Sequence, residues 1–173
     1  MEAIKLNLGS RDRHMPGFKN IDIDPHPGVD YVGDVSDLSR FESGSVSSIF
    51  ASNILEHFPH TKTSDVLAEW KRVLKTGGVL YLSVPDFDRA VDIYRQCGLK
   101  DWVQAQLMGD QEYKTAFHYA LFDEKRLRDT VLSVGFRECS FVERFDFSNP
   151  NDCSNNVSNI DGKPVSLNAV VIK

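Results

Sequence analysis

The sequence predicts an α/β protein: an open, mostly parallel sheet with an antiparallel edge strand and abbreviated crossovers between the first three strands. Three observations carry that reading. Strands alternate with helices through the middle of the chain. The segment "VLYLSV" (79–84) is almost wholly apolar, as a central strand covered on both faces must be. The last two strands are joined by a long polar loop instead of a helix, which reverses the direction of the final one.

Taken in order, "AIKLNLG" places Ile4, Leu6 and Leu8 on one side of a first strand and Lys5 and Asn7 on the other. "NIDID" repeats the alternation with Ile21 and Ile23. A short third strand is expected at "DYVGD" and a fourth at "SSIFAS". The clearest helix is "TSDVLAEWKRVLKTGG": Thr63 or Ser64 caps it, Asp65 suits its positive end, Val66, Leu67, Trp70, Val73 and Leu74 form one apolar stripe, and Gly77 stops it. "VLYLSV" follows. Residues 87–112 predict two short helices broken near Gly98, an insertion over the site. "DEKRLRDTVLSVG" predicts a helix capped by Asp123, then come the strand "FRECSFVERF", a turn-rich loop and the closing strand "SLNAVVIK". The loop reads either as a flexible hairpin connection or as a functional loop.

A length of 173 residues suits a single domain over 1–173 that buries roughly two-thirds of its unfolded surface. The net charge of −5 and the lack of any basic stripe argue against a nucleic-acid partner. Three scattered cysteines, Cys97, Cys139 and Cys153, fit neither a disulfide framework nor a zinc site and point to a reducing compartment. With no leader pattern and no long apolar run, the chain is expected to be cytoplasmic, with no membrane partner.

Ligands of such sheets sit beyond the carboxyl ends of the strands, where strand order reverses. The opening unit, "KLNLGSRDRHMPGFKNIDIDP", is strand, glycine turn, strand and acids. Only 13 positions separate Gly9 from Asp22, and Pro16-Gly17 falls between them. No helix of ordinary length fits, so the dipole that receives a diphosphate is missing and NAD and FAD are disfavoured. ATP is disfavoured by the absence of a phosphate-binding G-x-x-x-x-G-K-[ST] loop. A phosphate-free nucleoside needs less: a glycine for close backbone approach, Asp22 for the ribose hydroxyls, and Asp34 for the adenine amino group. The acidic rim of Asp22, Asp24, Asp34, Asp37 and Glu56 also favours a cation. S-adenosylmethionine, with its sulfonium, meets that description.

The segments "LNLGS", "NIDIDP", "GDVSDL", "SNILEHF", "VLKTGGVLYLSVPD", "HYALFDEKRLRDTVLSVGF" and "SLNAVVIK" together resemble the class I S-adenosylmethionine-dependent methyltransferases. The closest likeness is to a short subgroup of methyltransferases associated with cell-surface polysaccharide genes. The resemblance implies a Rossmann-like fold and S-adenosylmethionine as cofactor. By motif, Leu8, Gly9 and Ser10 would line the methionine half, Asp22 would hold the ribose, Asp34 and the backbone of Val35 would read adenine, and Ser52 and Asn53 would sit beside the sulfonium. Where the family usually has two or three glycines this chain has Ser10, Arg11 and Asp12, and Arg11 offers the methionine carboxylate a charge-assisted hydrogen bond.

Methyl transfer is an in-line displacement that needs alignment and no covalent nucleophile. For a hydroxyl acceptor a general base helps, with His57 the first candidate and His118 and Asp86 the others. The expected partner is a small-molecule acceptor, an oxygen or nitrogen of a sugar or other metabolite. No metal ligand is assigned: metal-dependent activation is open, but His57-x-x-His60 alone is weak evidence for it, since Pro59 between them disfavours a helical chelate. The bare face left by short crossovers, with Lys5 and Asn7 wetted, leaves room for self-association without requiring it. A non-catalytic binding module acting through a partner is the alternative reading.

Overall fold

The computed structural model describes residues 3–148 and 151–173. Seven strands form one sheet: β1 (Ile4–Leu8), β2 (Lys19–Asp22), β3 (Tyr31–Val32), β4 (Val46–Ser52), β5 (Leu74–Pro85), β6 (Glu138–Val142) and β7 (Ser166–Ile172). Their spatial order is β3-β2-β1-β4-β5-β7-β6. The first five strands are mutually parallel, with Leu6 opposite Lys19 on one side and Ile49 on the other. β7 runs antiparallel to both β5 and β6 and supplies the reversal expected at that end of the sheet. Strand order reverses between β1 and β4, so the crevice opens beyond Leu8 and Ser52.

Helix α1 (Thr63–Val73) and helix α4 (Glu124–Ser133) cover one face. Their inner residues Val66, Leu67, Trp70, Leu127 and Val131 join Leu6, Leu8, Ile49, Ala51, Leu80 and Leu82 in the main core, each such burial contributing roughly 1.5–3 kcal/mol. Asp123 caps α4 as predicted, accepting from the Arg126 N–H at 2.6 Å. The cap of α1 differs from the expectation. Thr63 is the first helical residue, its Oγ1 donates back to the His60 carbonyl at 3.1 Å, and Lys62 holds the cap position without a side-chain acceptor. α2 (Phe87–Cys97) and α3 (Asp101–Met108) are the two short helices expected there, separated at Gly98. No described helix is long and apolar enough to cross a membrane.

The crossovers 9–18 and 23–30 contain no helix, and the protein compensates with side chains. Asn7 Nδ2 donates to the Arg13 carbonyl and to Asn20 Oδ1, each at 2.9 Å, and Asn20 Oδ1 also accepts the Met15 N–H at 3.2 Å. Asn7 is therefore buried beneath its own crossover instead of wetted. It replaces the hydrogen-bond partners that a crossover helix would have supplied internally. Lys5 stays exposed, its ammonium 5.6 Å from the centre of the Phe18 ring. Farther along, the face is covered by an aromatic group: Phe50 and Tyr81 pack against Phe145 and Phe147. Part of the predicted polar loop, Asn149 and Pro150, lies outside the described residues.

Candidate functional site

A cleft of about 920 Å³ opens at the carboxyl ends of the strands, within the range of cofactor sites. Gly9, Arg11, Asp22, Asp34, Val35, Ser52, Asn53, His57 and His118 all line it. Leu8 and Ser10 do not. Leu8 belongs to the core and Ser10 is buried, because strand alternation turns Leu8 inward with Leu6. Asp86 is not on the cleft wall either: it caps α2, accepting from the Arg89 N–H at 3.2 Å.

Gly9 has φ of 66°, a conformation natural to glycine. Its missing side chain leaves space for protein, not ligand: a Cβ there would stand 1.9 Å from Ile54 Cδ1. The glycine thus lets the segment after β4 close onto β1. Asp22, at the end of β2, is 7% exposed. One of its oxygens accepts the Arg11 N–H at 2.7 Å and the other the Asp24 N–H at 3.0 Å. The carboxylate is thereby clamped, each oxygen keeping a further lone pair for a ligand. The Asp24 contact ends the strand at Asp22, so Ile23 is half-exposed and becomes an apolar wall of the cleft.

Asp34 is exposed and accepts the Ser36 N–H at 2.8 Å. The Val35 carbonyl is committed to Trp70 Nε1–H at 2.8 Å, which leaves the Val35 N–H as its backbone group for a base edge. Arg11 does not stand free: its guanidinium stacks 4.9 Å from the centre of the Tyr113 ring and donates to the Tyr113 hydroxyl at 2.9 Å. This contact spans the mouth of the cleft and joins the first crossover to the segment after α3.

At the other end, Ser52 Oγ donates to Asp152 Oδ1 at 2.5 Å, and Asp152 also accepts the Ser154 N–H at 2.9 Å. Asn53 adopts φ of 52°, and its Oδ1 accepts from Ser83 Oγ at 3.2 Å. The Glu56 carbonyl accepts the N–H groups of Tyr119 and Ala120 at 2.8 and 3.2 Å. That pairing brings His57 and His118 together, their ring centres 4.8 Å apart and nearly perpendicular. His57 Nδ1 lies 3.0 Å from the Phe117 carbonyl and His118 Nδ1 lies 3.2 Å from the Gln106 carbonyl. A carbonyl only accepts, so each Nδ1 carries hydrogen and each ring keeps Nε2 as its lone-pair nitrogen. Burial lowers the His57 pKa; burial and then the neighbouring His57 push His118 down to about 4. Both rings are neutral at neutral pH. Glu56 beside them is fully buried, and burial pushes its carboxyl up to about 8.

Residues 17–82 match the model of a methyltransferase domain family. No curated protein matches in sequence. Among solved structures, an S-adenosylmethionine-dependent methyltransferase from Archaeoglobus fulgidus superimposes with a TM-score of 0.63, covering 98% of this chain and 85% of its own at 14% identity. One from Methanosarcina mazei gives a TM-score of 0.61 over 100% of this chain and 94% of its own at 20% identity. The fold is that of the S-adenosylmethionine-dependent methyltransferases. A third example, the 1,6-didemethyltoxoflavin N1-methyltransferase of Burkholderia thailandensis with bound S-adenosylhomocysteine, gives a TM-score of 0.60 over 99% of this chain and 71% of its own at 15% identity.

Within this methyltransferase fold, three features of the cleft escape sequence reasoning. Ile23 reads as a strand residue, and only the turn formed by Asp22 exposes it. Asp152 sits in a polar loop, where its position two residues before Ser154 signals a local turn but nothing signals its bond to Ser52. Glu56 reads as a rim acid and is instead buried. The loop that carries Asp152 also brings Cys153 and Asn156 to the cleft wall, which favours its functional-loop reading.

Proposed function

We propose that the cleft binds S-adenosylmethionine and that the protein transfers its methyl group to a small acceptor, an oxygen or nitrogen of a sugar or other metabolite. The observation that carries this reading is the Asp22 carboxylate: clamped by two backbone N–H groups, nearly buried, and on the cleft wall with lone pairs to spare. Such a carboxylate suits two neighbouring hydroxyls of an uncapped ribose. The methyltransferase-domain match and the neighbour that holds S-adenosylhomocysteine support the same cofactor.

The residues present fit the group. Asp22 would take the ribose, Asp34 and the Val35 N–H the adenine, and Gly9, Arg11, Ser52 and Asn53 would surround the remainder. When bound, the cofactor supplies an electrophilic methyl carbon. The protein's share is alignment, exclusion of water, and disposal of the acceptor proton. His57, neutral and with Nε2 as its lone-pair nitrogen, is placed to accept that proton, and His118 is the second candidate. Ser52 holds the 151–156 segment against the cleft through Asp152.

Calorimetric titration with S-adenosylhomocysteine and with NADH, followed by methyl transfer to a panel of sugars and amines, tests the reading. Uptake of S-adenosylhomocysteine with a methylated product is expected. Tight binding of NADH alone would overturn the cofactor assignment. Uptake without product across the panel would leave a binding module acting through a partner.

A further inference from the structure

Among the described residues, Glu56 is the buried side chain with the most unpartnered polar atoms. It is 0% exposed, and neither oxygen has a hydrogen-bond partner in another described residue. A buried carboxyl left without a partner costs about 1–3 kcal/mol or more, and no described ion pair reaches it. Its immediate neighbours are the two imidazoles: one ligand atom from each of Glu56, His57 and His118 lies within 4.8 Å of the others. Two neutral imidazoles are electron-pair donors, and the buried carboxyl becomes a third when an incoming cation displaces its proton. With no other described residue donating to the Glu56 oxygens, the three groups are gathered as the ligands of a cation would be.

We infer that Glu56, His57 and His118 form a binding site for one divalent transition-metal ion. The donor set, two nitrogens and one oxygen, suits zinc, iron(II), cobalt(II) or nickel(II) better than magnesium or calcium, which prefer all-oxygen shells. The outer contacts fit as well. Metal-binding histidines characteristically donate their other ring N–H to a carbonyl or carboxylate, which fixes tautomer and orientation; His57 does so to Phe117 and His118 to Gln106. The Glu56 carbonyl, bonded to the 119–120 backbone, locks the two ligand-bearing segments to each other. Three protein ligands leave coordination positions open, and both histidines line the cleft, so an ion held by them would sit beside it. An ion there would lower the pKa of an acceptor hydroxyl and take over from a free imidazole. That use rests on the methyltransferase reading; the site itself does not.

The test is titration of chelator-treated protein with cobalt(II), read by its visible absorption, followed by displacement with zinc(II). The wild type should bind one equivalent of cobalt that zinc displaces. Glu56→Gln and His118→Ala should each weaken binding at least about tenfold, while His60→Ala, on an exposed histidine, leaves it unchanged. Circular dichroism verifies folding, and S-adenosylhomocysteine titration of the same samples reports separately on the cofactor site. His118 lies only half-buried, so a folding failure of Glu56→Gln leaves His118→Ala decisive. Absence of stoichiometric binding in the wild type, or equal affinity in the Glu56 and His118 variants, overturns the inference.

Discussion

Two acidic side chains, Asp22 on the cleft wall and Glu56 buried beside the cleft-lining His57, have surroundings that differ completely. Asp22 ends a strand where the chain turns back on itself, so two backbone N–H groups close on it. It is fixed by those bonds and ready to accept from a neutral ligand. Glu56 follows the next turn of the sheet with both oxygens unpaired and its carbonyl spent on the 119–120 backbone. The first is a finished acceptor; the second is buried with no partner for its oxygens among the described residues. On the proposed function, the Asp22 region holds the cofactor and the His57 region acts on the acceptor, a division that catalysis by alignment requires.

If the two regions are separable, substitutions should divide cleanly. The largest effect belongs to the His57 region: His57→Ala should lower the methyl-transfer rate about 10²- to 10⁴-fold while S-adenosylhomocysteine affinity holds within a few-fold, measured by single-turnover kinetics and calorimetry. Next comes Asp22→Ala, which should weaken S-adenosylhomocysteine binding about 10- to 100-fold through loss of charge-assisted hydrogen bonds. An unchanged dissociation constant would remove Asp22 from the site. Gly9→Ala introduces strain at φ of 66° and a clash with Ile54; it should cost about 1–3 kcal/mol of stability, read by urea unfolding. The smallest effect is a matter of pH. Because burial holds the Glu56 proton up to about 8, the unfolded chain ionises first as pH rises, and stability falls between the ordinary carboxyl range and about pH 8. In chelator-treated protein Glu56→Gln should therefore melt higher than wild type at pH 8, with the advantage shrinking towards pH 5.

What the sequence disclosed and what it withheld follow from the same physics. Period-2 and period-3.6 patterns place β1, β5, β7, α1 and α4, because those elements bury residues on a face their own spacing reveals. The position of Asp22 is legible for the same reason: a strand end fixes where the chain meets the cleft. Asn7 is not, since its partners Arg13 and Asn20 are decided by how the first crossover folds down. Glu56 is invisible for a stronger reason. Its burial depends on the 117–120 segment, about sixty residues away, laying its N–H groups on the Glu56 carbonyl, and no local pattern encodes that meeting. The same contact moves His57 from a solvated turn to one half of a histidine pair. Leu8, Ser10 and Asp86 fall on the right loops and face away from the cleft, as a motif assigns a neighbourhood but strand alternation and helix capping assign the direction.

On the proposed function, the clamped carboxylate of Asp22 receives a ribose. A crystal structure grown with S-adenosylhomocysteine measures this directly. The account predicts both ribose hydroxyls within about 2.6–3.0 Å of the Asp22 oxygens, with the Arg11 and Asp24 N–H bonds intact. A ligand seated elsewhere in the cleft, or an Asp22 bound only to its own backbone clamp, would contradict it.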